Sequence, residues 1–221
     1  MPADIRNLLQ KLLPEWPGQE SFAGDFSCRP IGGGSINSAF QILTKPNKRW
    51  FGKFNNAEQI PGLFIKESNG LALLRRLGPI RVPATVLCTA VEGIRVLLLE
   101  WIDEGPRTEE FWRQFGRQLA LQHQVSQPEF GLGEANYMGA LIQDNTPTPT
   151  WVDFFRDRRI EPQARLAIDA GLIDSTILGH FQRLYPRLPD FFPVEPPSLL
   201  HGDFSLATAG PLKNTRHRQT A

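Results

Sequence analysis

A chain of 221 residues that is 41% apolar and 21% charged has the composition of an ordinary globular protein, long enough for one or two cores, and it excludes disordered and collagen-like classes. The formal charge is +1, from 24 Lys+Arg against 23 Asp+Glu, so no strong field draws nucleic acid or anionic lipid and a small, locally bound ligand is the expected partner. Cys28 and Cys88 lie in no CxxC or His-flanked cluster, which argues against zinc and fits a reducing, cytoplasmic setting.

The opening residues spell an amphipathic helix over 3–13, with Ile5, Leu8, Leu9, Leu12 and Leu13 on one face, rather than a secretory signal. The most apolar run, 96–102, contains Glu100 and is far shorter than the roughly 20 residues that span a bilayer. Short β-leaning segments follow at 27–31, 38–44 and 50–55, separated by Gly32-Gly33-Gly34 and by Lys45-Pro46-Asn47-Lys48. An antiparallel sheet is expected. Helical periodicity returns over 63–77 and stops at Gly78-Pro79, after which 82–88 and 94–101 read as strands.

From Thr108 the pattern is mostly helical, through a segment with Phe111, Phe115, Leu119 and Leu121, then 151–170 and 173–188. The expected fold is α+β with two lobes: residues 1–102 as a β-rich nucleotide-binding lobe, 103–106 as the linker, 107–203 as a partial helical lobe, and 204–221 as an atypical tail.

Gly32, Gly33 and Gly34 lie between two strands, where glycine lets the backbone approach a polyphosphate, although an isolated triple glycine is also an ordinary flexible turn. Lys53 falls in the third strand, beside Phe54 and two residues from Phe51, where an inward amine needs an anion. Glu67 falls in the next helix; a strand Lys and a helix Glu orient ATP phosphates in protein-kinase folds, while each alone reads as a solvated charge. Glu100 and Ile102 close a strand just before the linker, where main-chain groups can meet adenine. His201-Gly202-Asp203 follows an apolar pair, as in the catalytic loop of small-molecule kinases, with Asp203 as the base and His201 holding the loop. His123 reads as a packed or half-buried histidine, and Trp151, Phe154 and Phe155 as core and pocket wall.

From about Ile31 to Asp203 these residues resemble the fructosamine kinase family. Its most specific stretches here are 32–37, Phe130-Gly131-Leu132, Asn136-Tyr137-Met138-Gly139, and 151–155 through Arg159-Ile160-Glu161-Pro162-Gln163. The resemblance implies a protein-kinase-like fold and transfer of the ATP γ-phosphate, with Mg²⁺, to a sugar hydroxyl of a free or protein-bound ketosamine. It implies that Gly32, Gly33 and Gly34 cover the phosphates, that Lys53 pairs with Glu67, and that Asp203 is the catalytic base. Some relatives carry a redox-active Cys where this chain has Ser35.

After Asp203 the family pattern stops. The Asn expected five positions on is Thr208, and residues 204–221 contain no acidic residue, so no metal ligand is assigned and the tail reads as the product of a truncated or shifted frame. A catalytically impaired kinase is therefore the leading expectation. A nucleotide-holding pseudokinase-like module, or a kinase for choline or aminoglycosides, is the alternative.

Overall fold

The computed structural model describes residues 2–12, 26–32, 37–44 and 47–202. The chain divides into two compact units, Met1–Gln122 with Leu200–Ala221, and His123–Leu199. Gly33, Gly34, Ser35, Asp203 and the tail that follows it lie outside the described residues.

In the first unit, α1 (Pro2–Leu12) forms because Ile5, Leu8, Leu9 and Leu12 recur at the spacing of one helical face. That face packs on Phe26, Phe40, Ile42, Phe54, Val96 and Leu98 of the sheet, and each fully buried side chain of this kind contributes about 1.5–3 kcal/mol. The sheet holds β1 (Phe26–Ile31), β2 (Ser38–Thr44), β3 (Lys48–Asn56), β4 (Thr85–Val91) and β5 (Ile94–Glu100). Its order is β1-β2-β3-β5-β4, antiparallel throughout. Gly52 makes room for the core: a Cβ there would stand 2.9 Å from both Ile42 Cδ1 and Phe54 Cε2, and 3.3 Å from Leu98.

The helix α2 (Leu63–Leu77) begins after Gly62, whose φ of 73° turns the chain into it, and buries Leu63, Phe64 and Leu74. Arg75 and Arg76 in its last turn oppose the negative end of the helix dipole. Gly78 ends it by donating its N–H to Leu74 O at 2.8 Å. Gln122, near the end of α3 (Glu109–His123), fits against Gly78 so closely that a Cβ would stand 2.9 Å from its Oε1.

Two expectations about these elements need correction. The strand expected over 82–88 runs instead as β4 from Thr85, because Pro83 has no N–H to give to a ladder, and Val82 is buried without pairing. His123 is exposed rather than packed; the helix buries its neighbour Gln122 to 2% exposure.

In the second unit, β6 (Asn136–Met138) and β7 (Leu141–Gln143) form a hairpin around Gly139, where φ is 62°. Sequence periodicity gave no sign of this pair. The helix expected over 151–170 is present as α4 (Trp151–Phe155), a π-helical turn at Arg156–Ile160, and α5 (Glu161–Asp169). Thr150 caps it, accepting the Asp153 N–H at 3.1 Å. The expected 173–188 helix is shorter and broken. Asp174 accepts the Thr176 N–H at 2.8 Å, α6 spans Ile177–Leu184, and Pro186 sits in a 3-10 turn before α7 (Leu188–Phe191).

Candidate functional site

One register row crosses the five strands: Ile31 pairs with Ala39, Ala39 with Lys53, Lys53 with Leu97, and Leu97 with Cys88. Paired residues share a face, so Lys53 emerges opposite the face covered by α1, in the same row as the residue that precedes the glycine hairpin. Gly32 is exposed, and a Cβ there would meet nothing within 4 Å, so the backbone at the start of that connection is open to a ligand.

Glu67 of α2 reaches this face. Its Oε1 accepts from Lys53 Nζ at 2.6 Å, with about a quarter of each side chain exposed, 26% for Lys53 and 27% for Glu67. A half-sheltered amine fixed by a carboxylate and still open to water is fitted to a polyphosphate oxygen. Cys88 completes the row: burial and then the Glu67 carboxylate raise its thiol pKa above the ordinary 9.0. The Ser68 hydroxyl lies 2.9 Å from that of Thr85 in β4 and holds the same helix turn to the sheet.

Glu100 is anchored at the end of β5. Its N–H donates to Ala84 O at 2.8 Å, and its carboxylate accepts from Arg81, from the Ala84 N–H at 3.2 Å, and faces Arg75 Nη1 at 3.8 Å. The Glu100 N–H is thus committed to Ala84, just before β4. The structure brings together Lys53 and Glu67; Gly33, Gly34 and Asp203 lie outside the described residues.

The second unit has a polar centre that sequence reasoning missed. Asn145, 4% exposed, donates to Glu134 O at 3.0 Å and to Asn136 Oδ1 at 2.9 Å, and accepts from Arg159 at 2.5 Å. Arg159 also donates to Asp144 O at 2.8 Å and stands 4.5 Å over the Phe154 ring, where burial pushes its pKa down against the opposing charge of Asp144. Gly131 passes so near that a Cβ would stand 2.5 Å from Asn145 O. Trp151, Phe154, Phe155 and Phe130 form one aromatic group beside it, with Phe154 buried as a core residue. Of the residues singled out by the resemblance, Gly131, Leu132, Asn136 and Arg159 therefore meet Asn145, Leu132 donating its N–H to Asn145 O at 3.0 Å.

An antiparallel sheet in this order, a helix whose Glu meets a strand Lys, and a following helical unit define a protein-kinase-like α+β protein. The family model for fructosamine kinase matches residues 12–215, and the chain belongs to that family. A "probable ketoamine kinase" of Synechocystis is 34% identical over 178 residues, 79% of this chain and 58% of that protein. Another, from Escherichia coli O157:H7, is 31% identical over 197 residues, 88% of this chain and 66% of its own length. A solved structure from Thermobifida fusca carrying the fructosamine-3-kinase name superposes with a TM-score of 0.68 at 30% identity, over 80% of this chain and 61% of that one. One from Haemophilus somnus, at 24% identity and a TM-score of 0.69, shares the fold. The chain thus spans 58% and 66% of the length of the two ketoamine kinases. Among the described residues no helix is long and apolar enough to cross a membrane.

Proposed function

We propose that the β-rich lobe, residues 1–102, binds ATP, and that the family reaction is transfer of its γ-phosphate to a sugar hydroxyl of a ketosamine. The Lys53–Glu67 contact at 2.6 Å carries this reading, because it fixes a cation where a nucleotide phosphate would need one. This reading assigns Gly32, Gly33 and Gly34 to the phosphates as a group, Lys53 to the α- and β-phosphates, and the Glu100 and Ile102 main chain to adenine. Asp203 is the base: the substrate oxygen bonds to the γ-phosphorus, the bond to the β,γ-bridging oxygen breaks, ADP leaves, and the hydroxyl proton passes to the Asp203 carboxylate.

Magnesium, when bound in such a site, neutralises charge on the β- and γ-phosphates. The residue five positions after Asp203 does not fit it, since Thr208 stands where the family pattern has Asn. The same observation favours a second reading for the 221-residue chain, a module that holds nucleotide without turnover. We infer that this chain is impaired as it stands.

Purified protein is titrated with ATP and assayed for label transfer from [γ-³²P]ATP to a fructosamine, choline and an aminoglycoside. The expected result is nucleotide binding, weakened about tenfold to a hundredfold in Lys53→Ala, with transfer far below the roughly 1–100 per second typical of kinases. Nucleotide binding that Lys53→Ala leaves unchanged would remove the site. Rapid transfer to the fructosamine would remove the impairment, and transfer to choline or the aminoglycoside alone would replace the acceptor.

A further inference from the structure

Trp101 and Asp103 flank Ile102 in the irregular stretch that leaves β5, and one residue of β3 holds both. Arg49 closes on Asp103 with a two-pronged contact, Nη1 to Oδ1 at 2.6 Å and Nη2 to Oδ2 at 2.6 Å. Asp103 Oδ1 accepts from the Trp101 indole N–H at 3.1 Å, and the Arg49 guanidinium carbon lies 6.0 Å from the centre of the Trp101 ring. The register accounts for the meeting: Trp50 pairs with Glu100, so Arg49 is the next β3 residue toward the segment that continues from β5.

The pair is partly exposed, 41% for Arg49 and 33% for Asp103, and an exposed ion pair contributes little to global stability. Its geometry is nevertheless specific, since a planar guanidinium against a carboxylate fixes orientation as well as distance. On the other side of Ile102, Glu100 is tied to Arg81 and Ala84. A three-residue stretch outside regular structure is thereby anchored at both ends.

We infer that Arg49 and Asp103 are positioning residues for base recognition: together with the Trp101 indole they form a strap that holds 101–103 so that the adjoining main chain can meet adenine. This rests on the nucleotide reading above and adds two residues that touch neither phosphate nor base. Rigidity set before the ligand arrives reduces the ordering cost of binding.

The test uses the full chain and the variants Arg49→Met, which keeps an unbranched stem of similar length, and Asp103→Asn. Amide hydrogen exchange of peptides covering 100–104 is measured without ligand, and affinities for ADP and inorganic tripolyphosphate are measured by calorimetry. Expected are faster exchange at 101–103 and ADP binding about tenfold weaker in both variants, with tripolyphosphate affinity unchanged. Unchanged exchange overturns the strap even if nucleotide binds. Equal losses for ADP and tripolyphosphate, or failure of both variants to fold, would show a general structural role and overturn the assignment. A wild-type chain that binds neither ligand overturns the nucleotide reading itself, and the assignment with it.

Discussion

Lys53 and Cys88 stand in one row of the sheet with Leu97 between them, and Glu67 acts on both. Burial first, and then the Glu67 charge, raises the Cys88 thiol pKa above 9.0 in the folded state. The protonated thiol is thus favoured by folding. Its contribution to stability is fully present below pH 9.0 and is lost as the pH rises through the folded value. Glu67→Gln, in a Cys28→Ser background, is expected to move the Cys88 midpoint downward while leaving it above 9.0, because burial remains. Thiolate absorbance against pH reads this directly, and an unmoved midpoint would place the Glu67 charge elsewhere.

Gly52→Ala is expected to destabilise the first unit by about 1–3 kcal/mol, the usual cost of overpacking. The added carbon would stand 2.9 Å from Ile42 Cδ1, in the layer that α1 covers, so the side chains beneath the helix must shift. Urea unfolding of the variant checks it; a midpoint equal to wild type would mean that this layer has slack.

Asp144 and Asn145 are neighbours whose losses should respond differently to acid. The Thr146 hydroxyl and N–H, with Arg158, hold the Asp144 carboxyl below its ordinary 3.8. That contribution is present above pH 3.8 and fades as the pH falls through the folded value, so the stability gap between wild type and Asp144→Asn should close in acid. Asn145→Ala removes the acceptor of Arg159 Nη2 and the donor to Asn136 Oδ1 at any pH, at a cost of about 1–3 kcal/mol. Unfolding curves at several pH values separate the two, and a pH-independent Asp144→Asn gap would refute the carboxylate's role.

Strand β2 and helix α2 were legible to the residue, because turn chemistry brackets each one and the helical period of 63–77 is clear. The meeting of Lys53 and Glu67 was legible too, through the order of strand, turn and helix. The β6–β7 hairpin was not: strands of three residues are too short to show alternation, though Gly139 between Met138 and Leu141 marked the turn. His123 was misread because apolar neighbours along the chain were taken for neighbours in space, and α3 turns Gln122 inward instead. The Arg49–Asp103 and Asn145–Arg159 contacts join residues 54 and 14 positions apart, and no local pattern in one sequence announces such pairs.

The fastening of α2 bears on when Glu67 takes its place. Phe64 is 1% exposed, Ser68 is tied to Thr85, Glu67 to Lys53, and Arg75 faces the Glu100 carboxylate at the far end. A helix that swung outward as a rigid rod would have to vacate the Phe64 niche and part these side chains together. Acting side by side, these restraints oppose such a motion together. The acidic partner of Lys53 is therefore bolted to the sheet by folding itself, and under the proposed function the Lys53–Glu67 pair is in place before nucleotide arrives.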